Sequence, residues 1–166
     1  DAFELDADTP ALGTTDAFRG WRPEADKAVT DAGSPLLETL RLYRDLLDFH
    51  AGDTDRTAFL AADLDRILWA SGAAVSSAGA QELHDRKRAS LESFIERAGD
   101  HEVASLARFH LASLVQQDEG QDPGDLVEAR AIAATGAEAH PKSPGAAMCR
   151  NLVAQIDARE LSIQSE

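Results

Sequence analysis

VASLARFHLASLVQQDEGQDPGDLVEARAIAATGAEAHP, residues 103–141, is the stretch whose reading decides the fold. Val103, Leu106, Ala107, His110, Leu111 and Leu114 recur at i, i+3, i+4 and i+7, the spacing that places side chains on one face of an α-helix. Asp100, just upstream, has the short carboxylate that suits a helix N-cap. A polar connection at 117–122 follows. Asp122 and Pro123 then open a second helix, because proline lacks an N–H that the first helical turn would leave unused. This helix carries Leu126, Ala129, Ile132 and Ala133, and Pro141 ends it.

A connection this short cannot return the chain to its starting end, so the two helices pack as an antiparallel hairpin. The second is rich in alanine (Ala129, Ala131, Ala133, Ala134, Ala137), which lets paired helices approach closely. A helix with small and large apolar positions, a polar turn, an Ala-rich helix and a proline together look like one tetratricopeptide unit. A 34-residue period is not sustained along the chain, so any repeat is degenerate.

The same grammar extends outward from this hairpin. Ser34 and Pro35 open a helix with Leu36, Leu40, Tyr43, Leu47 and His50 on its stripe, ended by Gly52. A second runs from about Asp55 to Ser71 with Leu60, Leu64, Ile67 and Leu68 inside, and Gly72 is expected to stop it. A third follows the small-residue loop at 72–79, with Leu83, Leu91, Phe94, Ile95 and Ala98 inside, His84 through Arg88 mostly outside, and Gly99 as its end. Ser143 and Pro144 open the last helix, with Met148, Leu152 and Ile156 on the buried face.

Residues 1–33 hold Pro10, Pro23, Gly13, Gly20 and Gly33 and no helical period, so they read as an irregular lead-in. Phe3, Leu5, Phe18 and Trp21 are too apolar for a free tail and are expected to pin it onto the helices. At the other end Leu161 and Ile163 alternate with period two, which reads as the first strand of a following domain. The expected organisation is a lead-in over 1–33, a helical domain over 34–159 and a strand start over 160–166. The fold class is all-α: antiparallel hairpins, stacked as a short solenoid or gathered in a compact bundle.

The chain has 166 residues, enough to bury roughly 70% of the unfolded surface without metals or disulfides. Its net charge is −14, and Lys and Arg do not gather into a basic stripe, which argues against nucleic acid as a partner. No apolar run reaches the roughly 20 residues needed to cross a bilayer, so this segment is not expected to insert.

The residue types that carry chemistry read here mainly as structural. His50, His84, His101, His110 and His140 never stand three or four residues apart, so no helical metal-ligand pair exists and no metal is assigned. His110, on an apolar stripe, reads as a core residue, and His50 beside Asp53 as a partner of the helix's negative end. Asp63 and Asp65 with Arg66 suggest a carboxylate pair, but residues two apart diverge on a helix and cannot share one reacting atom. A solvated face with local ion pairs is the expectation there. Cys149, the single cysteine, lies inside a predicted helix beside Met148 and reads as an inert hydrophobe rather than a nucleophile. No catalytic residue and no cofactor are assigned.

Three stretches in order carry a family resemblance: AFELD at 2–6; LRLYRDLLDFH at 40–50 continuing through AFLAADLDRI at 58–67; and PKSPGA at 141–146 leading through Cys149, Leu152 and Ile156 to LSIQSE at 161–166. This text resembles the region that precedes the macroglobulin domains of large bacterial alpha-2-macroglobulin-like proteins. The resemblance implies a parent exported to the cell envelope or periplasm, often held there by a lipid, and trapping or inhibiting proteases through an array of β-sandwich domains. It implies that residues 161–166 begin the first of these, and that this segment's partners are the adjacent macroglobulin domains, with another envelope protein or a target protease as further candidates. The family's thioester motif, Cys-x-Glu-Gln, is missing, since Arg150, Asn151 and Leu152 follow Cys149, so no trapping residue is carried over. The module is then expected to be a non-catalytic scaffold or interaction module. The alternative is an independent peptide-binding helical repeat, with a basic ligand suggested by the negative charge.

Overall fold

A computed structural model describes residues 3–25, 33–117 and 123–163, with the side chains of residues 24, 123 and 160–163 left aside. The chain is all-α. Among the described residues there is no strand, and the only β-type pairing is a single parallel bridge between Asp6 and Val75. Seven helices follow in order: α1 Thr15–Gly20, α2 Pro35–His50, α3 Thr57–Ala73, α4 Ala80–Ala98, α5 Val103–Gln116, α6 Pro123–Ala139 and α7 Pro144–Ile163. Short 3-10 turns occupy Pro10–Leu12 and Pro23–Ala25. The chain falls into two compact units, Asp1–Ser93 and Phe94–Glu166, so the segment read as one helical domain over 34–159 is divided within α4.

In the first unit α2 and α3 form the expected hairpin, and the lead-in packs onto them. Leu5, Leu12 and Phe18 are buried in one core with Leu37, Leu40, Leu47 and Ala70, and Phe3 and Trp21 lie partly buried against it. The lead-in is less irregular than its sequence suggests. Thr14 caps α1 by accepting a hydrogen bond from the Ala17 N–H at 3.3 Å, as a hydroxyl at an N-cap does. The buried stripe of α2 is Leu37, Leu40, Arg44 and Leu47, turned by one residue from the expected Leu36, Tyr43 and His50. Gly72 does not stop α3, which continues to Ala73: nothing lies within 4 Å of a Cβ built there, and the local backbone stays helical.

In the second unit α5, α6 and α7 each pack against the other two, an arrangement compatible with a bundle or with stacked hairpins. Gly99 ends α4 with φ of 58°, a left-handed conformation that glycine adopts without a Cβ clash. Asp100 does not cap α5. Its carboxylate lies 3.3 Å from His140 Nε2, and the Val103 N–H donates instead to His101 Nδ1 at 3.3 Å. Asp122 falls outside the described residues. Ser143 does cap α7, accepting from the Ala146 N–H at 3.1 Å. The core is built from small residues: Ala112, Ala129, Ala133 and Cys149, together with Val115, Leu152 and Ile156. A Cβ on Gly145 would land on the Leu106 backbone, 2.8 Å from its Cα, so the first turn of α7 lies directly against α5.

Two C-terminal expectations change. Cys149 rather than Met148 faces the core, with Leu152 and Ile156 three and seven residues on; Met148 is 36% exposed. Helix α7 runs through Ile163, so Leu161 and Ile163 continue a helix and do not begin a strand. A helix already satisfies the backbone groups that a strand would need to pair. Residues 164–166 lie outside the described residues.

Candidate functional site

The acidic pair singled out in α3 is not a solvated face. Asp63 and Arg66 are both fully buried, while Asp65 points outward, as residues two apart on a helix must. Arg66 donates to Asp63 Oδ1 from Nε at 2.9 Å and from Nη2 at 2.8 Å. It also donates from Nη1 to the Ala11 carbonyl at 2.5 Å and from Nη2 to the Gly13 carbonyl at 3.3 Å. Thr15 closes the set by donating its hydroxyl to Asp63 Oδ2 at 2.7 Å. The guanidinium stacks over the Phe18 ring, 4.9 Å from its centroid, a cation–π contact that strengthens once water is excluded. A buried charge persists only when paired and hydrogen-bonded, and the partners named here belong to α3 and to the lead-in. This constellation therefore fastens the lead-in.

Cys149 is buried, and its thiol donates to the Ser105 carbonyl at 3.3 Å. Burial pushes the thiol's pKa up, against the pull of Arg108 and Arg150. A thiol held protonated is a poor nucleophile. His50 pairs with Asp53 at 2.7 Å at the end of α2, and His110 is half-buried with its ring edge-on to Phe109. Among the described residues no three His, Cys, Asp or Glu side chains gather to hold a metal ion.

Two surfaces are lined by side chains that do not titrate. On α2, Leu42, Leu46 and Phe49 recur at i, i+4 and i+7 and are 69%, 43% and 78% exposed, an apolar stripe separate from the buried one. In the second unit, a groove of about 330 Å³ runs between α5 and α7. Phe109, Ser113, Gln116 and Gln117 line one side, and Met148, Asn151, Leu152 and Gln155 the other. Phe109, Ser113 and Gln116 share one face of α5, with Gln117 following at its C-cap, and the second quartet is one face of α7. The lining mixes four neutral amides with apolar side chains and holds no charge, in a chain of net charge −14. The sequence signal was present as Gln116 and Gln117 side by side and Asn151 and Gln155 four residues apart, but amides do not titrate.

The fold and these surfaces define an all-α chain with hairpin architecture. It matches no protein-family model, no curated protein and no solved structure. Among the described residues no helix is long and apolar enough to cross a membrane.

Proposed function

We propose that this chain is a non-catalytic helical interaction and scaffold module. The sequence resemblance extends this to a module preceding the macroglobulin domains of an exported bacterial alpha-2-macroglobulin-like protease inhibitor. The observation that carries the interaction reading is the α2 stripe. Three large apolar side chains on one helix face leave a contiguous apolar patch in water, and such patches mark protein contacts. The occupant is a folded domain of the same parent chain. The buried ionic groups support a non-catalytic role, because Asp63 and Arg66 are engaged in holding the lead-in.

The test uses Phe49→Cys, whose thiol is reagent-accessible in the 166-residue chain while Cys149 stays buried. In the full-length gene product its labelling is expected to slow strongly as the next domain covers α2. Equal labelling in both would overturn docking through this face, and the absence of β-sandwich patterns after Glu166 would overturn the family reading.

A second reading, an independent peptide-binding helical domain, is favoured by the amide-lined groove between α5 and α7. Its volume lies at the lower end of the range for ligand pockets, about 300–1,000 Å³. Binding of short peptides to the purified chain tests it.

A further inference from the structure

We infer that the domain seated on α2 meets it with a basic amphipathic helix, whose Lys or Arg side chains pair with Glu38 and Asp45 between apolar contacts to Leu42 and Phe49. This rests on the docking reading above and names the chemistry of the surface that docks.

The sequence of α2 sets the pattern. Glu38, Leu42, Asp45 and Phe49 follow one another at i, i+4, i+7 and i+11, the spacing of a single helix face. All four are exposed. Carboxylates and large apolar groups therefore alternate along one line, and Leu46 widens its apolar side. At the rise of an α-helix, Asp45 stands about 4.5 Å along the axis from Leu42 and about 6 Å from Phe49. A partner that covers both apolar groups also covers the carboxylate set between them.

That covering decides the charge of the partner. A carboxylate taken out of water is strongly unfavourable unless a cation and hydrogen bonds replace its hydration. The chain's own cations around α2 are committed elsewhere. Arg44 is buried and donates to the Trp21 carbonyl, Arg19 pairs with Asp48 at 2.6 Å, and His50 pairs with Asp53 at 2.7 Å. Arg41, half-buried beside the line, is likewise engaged. The charge that balances Asp45 under a cover therefore comes with the cover.

A second copy of this chain does not supply it. Laid antiparallel, its α2 would set Asp45 against Leu42 and Glu38 against Phe49; laid parallel, it would set carboxylate against carboxylate, and each copy carries a net charge of −14. A helix with cations where α2 has acids does fit, because its rise repeats the spacing of four, three and four residues in step. On a strand, side chains of one face recur about every 6.7 Å, out of step with two carboxylates about 10.5 Å apart.

The probes are three acetylated, amidated helical peptides about 18 residues long. Each carries Leu alternating with a second residue at this same spacing, and they differ only in that residue: Lys, Gln or Glu. Each is titrated into the isotope-labelled 166-residue protein while the Leu42 and Leu46 methyls and the Phe49 amide are followed by NMR. The Lys peptide is expected to shift all three signals and to bind about three- to tenfold more tightly than the Gln peptide at low salt. High salt should shrink that advantage, and the Glu peptide should bind most weakly. Glu38→Gln combined with Asp45→Asn, both exposed and so compatible with folding, should erase the preference for Lys while leaving the Gln peptide's midpoint in place. If no peptide binds, if the Lys peptide binds no more tightly than the Gln peptide, or if the double variant keeps the preference, this inference is overturned. Docking itself is decided separately by the Phe49→Cys labelling: protection in the full-length product without a preference for Lys removes this inference alone, whereas equal labelling there removes both.

Discussion

The two units solve the same packing problem with opposite materials. In the first, helices α2 and α3 present a face that is completed by the lead-in, and a buried arginine, aspartate and threonine stitch that segment down. In the second, helices α5, α6 and α7 approach closely through Ala129, Ala133, Gly136 and Gly145, and the face between α5 and α7 stays open. Side chains long enough to cross a gap permit an irregular segment to lie between helices, whereas side chains reduced to a methyl or a hydrogen let backbones meet with nothing between them. The first unit is therefore sensitive to loss of a polar partner and the second to gain of volume.

The largest expected effect breaks the first half of this comparison. Arg66→Ala leaves the Asp63 carboxylate buried without its cation and should cost about 3–5 kcal/mol in denaturant unfolding. Asp63→Leu with Arg66→Met, which removes both charges, should recover much of that loss. If Arg66→Ala behaves like a surface substitution, within about 0.5 kcal/mol, the lead-in is not fastened as described.

Next comes added volume in the second unit. Gly145→Ala should destabilise by about 1–3 kcal/mol, the usual cost of overpacking, because its Cβ meets Leu106 backbone that cannot rotate away. Gly136→Ala meets a side chain instead, placing its Cβ 2.6 Å from Cys149 Sγ. Combining it with Cys149→Ala should relieve part of the penalty, and a double-mutant cycle that comes out additive would show that the two positions do not touch.

On the apolar stripe, Leu42→Ser and Phe49→Ser should change stability by less than about 0.5 kcal/mol, as surface substitutions do. A larger loss would mean that the stripe belongs to the core.

The smallest effect is electrostatic. Asp157 accepts hydrogen bonds from Arg130 at 2.6 and 3.2 Å, and that bonding holds its pKa below the ordinary 3.8. A carboxylate with a depressed folded pKa contributes stability above its ordinary pKa and loses it as pH falls through the lower folded value. The contribution of so exposed a pair is slight and screened by salt. An NMR titration should find the Asp157 midpoint below that of an ordinary aspartate, and Arg130→Ala should move it up.

Much of this was legible in the chain before any coordinates. Ser34–Pro35 and Ser143–Pro144 mark helix starts, Gly99 marks an end, and the apolar lead-in residues Leu5 and Phe18 indicated that the segment would be pinned. What went unread has a common origin. Asp63 and Arg66 read as solvated because charged residues normally are, and the lead-in, arriving from some fifty residues away, supplies partners that help to make their burial tolerable. The groove residues went unread because neutral amides on a helix carry no signal until a second helix stands opposite.

Taken alone, the sequence determined the all-α class and where most helices begin and end, because caps, prolines and period are local and need no knowledge of neighbours. Tertiary structure decided which stripe of each helix is buried: Leu37 over Leu36 on α2, Cys149 over Met148 on α7, and an internal Asp63–Arg66 pair on α3. Helical spacing states which residues share a face. Which face meets another element depends on contacts between residues far apart in the chain.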